Sequence, residues 1–117
     1  MESKEFIRGT IKTLVLKLLS EKKKMYGYEI SARVKELSAN EIQLTYGALY
    51  PILYKLEAEG LLSTESELFE GRARKYYSLT KKGNEVAKVK VSELQKFMDI
   101  VKNILAAPKT SLESWGY

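Results

Sequence analysis

Ala87, Val91, Leu94, Met98, Val101 and Leu105 recur at steps of four, three, four, three and four. That spacing puts six side chains on one stripe of a long helix, as in the seam of a coiled coil. Phe97, Ile100 and Ile104 widen the stripe. Thr80 is the expected N-cap of this helix, and Pro108 ends it. An apolar face of this length demands cover. The chain has 117 residues, enough for one domain and an appendage, so a second subunit is the natural cover. The six residues are therefore predicted to form a homodimer interface.

Upstream, Phe6, Ile7, Ile11, Leu14, Val15, Leu18 and Leu19 predict an amphipathic helix from Phe6 to Ser20. Tyr26, Ile30, Val34 and Leu37 predict a second, from Tyr26 to Ser38. A third runs to Glu59 behind the N-cap Thr45, with Leu49, Ile52, Leu53 and Leu56 on its core face and Gly60 as its stop. Pro51 falls in its second turn, where the ring crowds the carbonyl of Gly47, so a local distortion is expected. A start at Tyr50 would place Pro51 at the first helical position but leave the helix poorly capped. The alternation in Glu41-Ile42-Gln43-Leu44 predicts a short extended piece. Leu61–Leu68 and Lys75–Leu79 read as two strands around the polar tip Glu70-Gly71-Arg72-Ala73-Arg74.

This order predicts a mainly α fold with a small β-hairpin wing. Residues 1–80 form a winged helix-turn-helix domain, 81–107 a C-terminal dimerisation helix and 108–117 a short tail. In such a fold the third helix enters the DNA major groove while the hairpin follows the backbone.

Composition narrows the chemistry. There are no cysteines and no histidines, which excludes disulfides and thiolate metal sites and removes the commonest general base and metal ligand. No glycine-rich phosphate loop and no acidic cluster is present, so no metal, cofactor or enzymatic activity is expected. The N-terminus is charged, and the first apolar run is broken by Arg8 and Lys12, which predicts a cytoplasmic protein with no membrane partner. The net charge of +5 agrees with a nucleic-acid partner. Residues 45–80, however, carry four basic and five acidic side chains, so pattern rather than charge must support that reading.

Three stretches resemble the PadR family of transcriptional regulators: Tyr26-Gly27-Tyr28-Glu29-Ile30; Gly47-Ala48-Leu49-Tyr50-Pro51-Ile52-Leu53 continuing to Gly60-Leu61; and Gly71-Arg72-Ala73-Arg74-Lys75-Tyr76-Tyr77-Ser78-Leu79-Thr80 followed by Gly83. The resemblance implies a winged-helix repressor that dimerises through its C-terminal helix. The single long helix is similar to the family's short subgroup, some members of which bind planar or cationic drugs between subunits. Two positions depart from the family pattern: Tyr26 stands where a histidine is common, and Tyr46 where a proline is common.

Tyr46, Tyr50 and Tyr54 recur every four residues along the third helix. A phenol can donate to phosphate or a base edge, while Tyr50 and Tyr54 equally suit a half-buried place with their hydroxyls at the rim. Thr45, Ala48 and Lys55 complete the proposed DNA face; Ala48 would meet a thymine methyl or serve only as a helix former. Arg72, Arg74 and Lys75 on the wing suit phosphate or minor-groove contact, or form a solvated turn offset by Glu67 and Glu70. Tyr28 opens the second helix, where a phosphate could lie. The run Lys22-Lys23-Lys24 reads as solvated surface. Leu94, Phe97, Met98 and Val101 suit either an ordinary dimer seam, which heptad spacing favours, or an intersubunit pocket for a hydrophobic or cationic small-molecule effector. Trp115 could close over such a pocket. The function expected is a homodimeric repressor on an inverted repeat in double-stranded DNA. The alternative is a winged-helix protein–protein interaction module assembled by a coiled coil.

Overall fold

The computed structural model describes residues 4–108; the tail from Lys109, Trp115 included, lies outside the described residues. Among the described residues seven elements follow one another: α1 (Lys4–Glu21), β1 (Met25–Tyr26), α2 (Gly27–Leu37), α3 (Tyr46–Ala58), β2 (Leu62–Phe69), β3 (Arg72–Leu79) and α4 (Lys81–Leu105). The three strands form one antiparallel sheet in the order β1-β3-β2. A mainly helical chain with a winged hairpin and a long last helix is thus the fold.

Local chemistry sets most boundaries. Thr45 Oγ1 accepts the Ala48 N–H at 3.2 Å, capping α3. At its other end Gly60 has φ +78°, Gly60 N–H reaches Glu57 O and Leu61 N–H reaches Leu56 O. This paired closure requires the left-handed backbone that glycine adopts without cost. The helix runs through Pro51 as a single element. Glu70 and Gly71 have φ +51° and +79°, the two positive angles of the tight turn whose twist suits a hairpin. The strands therefore run to the turn itself, and β3 starts at Arg72 rather than at Lys75.

Two expectations need correction. Glu41–Leu44 is not a strand. Its polar backbone is held by α2 instead: Ser38 Oγ accepts the Ile42 N–H at 2.9 Å, and Ser31 Oγ donates to the Leu44 carbonyl at 2.7 Å. The third strand is Met25–Tyr26, paired with Tyr77 and Tyr76. Two residues carry no periodic pattern, so only tertiary pairing defines this strand.

The core gathers Val15, Leu16, Ile30, Leu49, Leu53, Leu56 and Tyr77, each almost wholly buried. Burying a side chain of this size contributes about 1.5–3 kcal/mol. Leu16, outside the predicted stripe of α1, is among the most buried, whereas Phe6 is 66% exposed.

The start of α4 is seated on the wing root. Thr80 Oγ1 accepts the Gly83 N–H at 3.0 Å and donates to Gly60 O at 2.7 Å, while Thr80 N–H donates to Leu61 O at 3.0 Å. Gly83 permits this approach, since a Cβ there would overlap the Leu61 carbonyl oxygen. Ala87, predicted for the dimer seam, lies 2% exposed in the protomer's own core. Beyond it α4 runs on beside the start of α1, with Val91, Leu94 and Val101 half-buried, and the molecule is elongated, with extents of 68 × 29 × 20 Å.

Candidate nucleic-acid interface

The outward face of α3 presents Thr45, Tyr46, Ala48, Tyr54 and Lys55, all exposed. Tyr50 stands between two of these tyrosines, its ring 5.7 Å from that of Tyr46 and 5.9 Å from that of Tyr54. It is half-buried, and its hydroxyl occupies the space that a side chain at Gly27 would need. Burial pushes its phenol pKa up, with the neighbouring Tyr46 and Tyr54 adding to the effect. Tyr50 is thus placed at the α2–α3 contact, supporting the ladder from beneath. Tyr28 is exposed at the start of α2, its ring 6.1 Å from that of Tyr26.

The three predicted wing cations have three different surroundings. Arg72, opposite Phe69 in the ladder, is exposed with no carboxylate partner among the described residues. The Arg74 guanidinium lies 3.8 Å from the Phe69 ring centre and 4.4 Å from that of Tyr26. Lys75 turns toward α3: its Nζ lies 3.4 Å from Glu57 Oε1 and 5.3 Å from the Tyr54 ring centre.

The near-balance of charge in this region is changed by ion pairs from outside it. Lys24 pairs with Glu65 at 3.2 Å and also with Glu67, and Lys12 meets Glu59 at 3.5 Å. With Glu57 occupied by Lys75, four of the five carboxylates in residues 45–80 face a cation, leaving Lys55, Arg72 and Arg74 without an acidic partner among the described residues. The role of Lys24 was missed in the sequence because its partners stand 41 and 43 positions away. Lys22, in the same run, pairs with Glu29 at 2.6 Å, and Glu29 in turn accepts the Tyr26 N–H.

On α4 the predicted stripe divides. Val91, Leu94 and Val101 are half-buried; Met98 and Leu105 are exposed, as are the flanking Phe97, Ile100 and Ile104. Phe97, Met98, Val101 and Leu105 join Phe6 of α1 around an open groove of about 680 Å³. Leu94 is not among the residues lining it.

The Transcriptional regulator PadR-like family matches residues 15–89, which hold the helix-turn-helix, the wing and the start of α4. The chain belongs to this PadR-like family. An uncharacterized protein of Lysinibacillus sphaericus is 33% identical over 106 residues, 90% of this chain and 93% of that protein. A transcriptional regulator of Mycobacterium tuberculosis is 45% identical over 49 residues, 42% of this chain and 46% of the other. Among solved structures, a PadR family regulator from Eggerthella lenta superposes with a TM-score of 0.72 at 35% identity, covering 89% of this chain and 88% of that one. A regulator from Clostridium thermocellum does so at 0.77 and 28%, covering 85% and 96%. Members of the PadR-like family are transcriptional regulators rather than enzymes, and this chain is one of them. No helix among the described residues is long and apolar enough to cross a membrane.

Proposed function

We propose that this PadR-like regulator binds double-stranded DNA sequence-specifically as a cytoplasmic homodimer and represses transcription from an inverted-repeat operator. The observation that supports it best is the exposed tyrosine-bearing face of α3 standing beside a wing on which Glu65 and Glu67 are already paired with Lys24. Tyr46, Thr45, Ala48 and Lys55 meet the major groove, with Tyr50 beneath them. Arg72 and Arg74 meet the flanking phosphates, and Tyr28 reaches the backbone from α2. Two such heads spaced about 34 Å apart would read one face of the duplex.

The dimer forms along the outer half of α4, from Val91 to Leu105, with Phe6 and Phe97 at its margin. A partner is needed because Phe97 is 61% and Leu105 80% exposed on a face otherwise apolar. A hydrophobic or cationic small molecule held by Phe97, Met98 and Val101 would shift the two heads and release DNA.

A selection of random duplexes by fluorescence anisotropy at two salt concentrations tests the proposal. Enrichment of an inverted repeat, with affinity falling steeply in salt and weakened on Arg72→Ala, is the expected result. The second reading, a protein-interaction module, draws on the four basic and five acidic residues of positions 45–80. Duplex binding that is weak and selects no sequence would favour it.

A further inference from the structure

Glu57 lies on the last turn of α3 and uses both carboxylate oxygens on the wing. Thr64 Oγ1 of β2 donates to its Oε2 at 3.1 Å, and Lys75 Nζ of β3 donates to its Oε1 at 3.4 Å. One side chain of the reading helix is therefore bonded to both strands of the hairpin. The neighbourhood reinforces the pairing. Thr64 stands opposite Tyr77 in the sheet, and Lys75 shares a strand face with Tyr77, two residues away. The Lys75 ammonium lies 5.3 Å from the Tyr54 ring centre and 5.4 Å from that of Tyr77. Tyr54 precedes Glu57 by three positions and so lies on the same side of α3. Tyr77 forms the floor, 1% exposed. Burial works against the charge of Lys75, but Tyr77 and Glu57 outweigh it, so the lysine pKa lies above its ordinary value.

We infer that Glu57 and Lys75 are positioning residues: they clamp the wing at a fixed angle to the reading helix, and Lys75 is not a phosphate contact. This rests on the DNA-binding reading above. Ion pairs at the surface contribute little to global stability, so the clamp's effect lies in the angle and local opening of the hairpin rather than in the folding energy of the whole domain. Lys75 already has a carboxylate partner that neutralises its charge, whereas Arg72 has no acidic partner among the described residues.

The two explanations predict opposite signs. Glu57→Ala removes a negative charge from a face that approaches phosphates, so electrostatics alone predicts tighter DNA binding. Alanine also suits the helix, so the substitution keeps α3. The clamp predicts weaker binding, roughly tenfold, the size of an ordinary coupling between contacting groups. The salt dependence separates them further. Arg72→Ala is expected to lower the slope of log affinity against log salt by about one, while Glu57→Ala and Lys75→Ala weaken binding with the slope unchanged. The double variant should bind no more weakly than either single one, and Lys75→Arg should restore binding.

Amide hydrogen exchange reads the clamp without DNA. In Glu57→Ala, exchange along β2 and β3 near Thr64 and Lys75 should be faster than in the unsubstituted protein, with that of α1 unchanged. Tighter or equal DNA binding by Glu57→Ala, a lowered slope for Lys75→Ala, or unchanged exchange in the hairpin would each overturn the assignment. If the unsubstituted protein binds no duplex, it is the DNA-binding reading that fails, and the exchange comparison alone decides the clamp.

Discussion

Replacing Gly83 with alanine places two ordinary rules in opposition. Gly83 lies in the first turn of a helix of 25 residues, and alanine there should gain up to about 1 kcal/mol of helix propensity. The new Cβ would overlap the Leu61 carbonyl oxygen, lie 3.0 Å from the carbonyl carbon and stand 3.2 Å from Leu79 Cδ2. The oxygen belongs to backbone fixed between α3 and β2, so it cannot turn aside as a side chain would. The start of α4 must lift instead. Overpacking of this kind costs about 1–3 kcal/mol. Lifting also lengthens the Thr80 bonds to Leu61 O and Gly60 O, now 3.0 and 2.7 Å, each worth about 1 kcal/mol. The balance is a loss of about 2–4 kcal/mol, or a fall in Tm on the order of 10 °C for a domain of this size. Thermal and urea unfolding followed by circular dichroism, at one fixed protein concentration so that association does not contribute, measures it. A Tm equal to or above that of the unsubstituted protein would show that propensity prevails and that the tight docking of α4 on Leu61 is wrong.

Other perturbations test other parts. Tyr77→Phe should leave stability equal or raise it by about 1 kcal/mol in urea titrations at neutral pH, since its hydroxyl is buried without a hydrogen-bond partner among the described residues. The phenols of Tyr50 and Tyr77 are both pushed up chiefly by burial, so above about pH 10 the unfolded chain loses these protons first and the folded chain retains them. Stability should therefore be full below that pH and fall as pH rises through it, more gently in Tyr77→Phe; a flat alkaline limb in the unsubstituted protein would refute this. Thr45→Ala removes the α3 cap and should cost about 1 kcal/mol in the same titration. Phe97→Asp, on the exposed stripe of α4, should convert a dimer to a monomer by light scattering; an unchanged mass would place the seam elsewhere.

Features whose cause is local were legible in the sequence. Thr45 and Thr80 were readable as caps because a cap is one hydroxyl meeting an amide three positions on. Gly60 and Gly71 were readable because a left-handed backbone selects glycine, although the five-residue tip read around Gly71 closes to a two-residue turn. What escaped depends on distant pairing. Met25–Tyr26 is a strand only because β3 offers a partner, and Glu41–Leu44 alternates without one. Ala87 fits the heptad as well as any residue does, yet α4 packs against α1 there and buries it inside the protomer. At the candidate site the sequence identified the three cations of the wing but not their separate surroundings. Arg74 on Phe69 and Tyr26, and Lys75 on Glu57, follow from the alternation of strand faces once the register is known.

A single residue, Thr80, separates the end of β3 at Leu79 from the start of α4 at Lys81, and its bonds to Gly60 and Leu61 leave that joint no slack. Head and stalk therefore turn as one lever. The 25 residues of α4 make an arm about 37 Å long. In a dimer seamed along the outer half of that arm, about 25 Å separate the middle of the seam from the head, so a tilt of ~7° at the seam would carry each head by ~3 Å. The rise of one base pair is about 3.4 Å. An adjustment too small to disturb the packing of the stalk would thus be enough to put both heads out of step with the duplex.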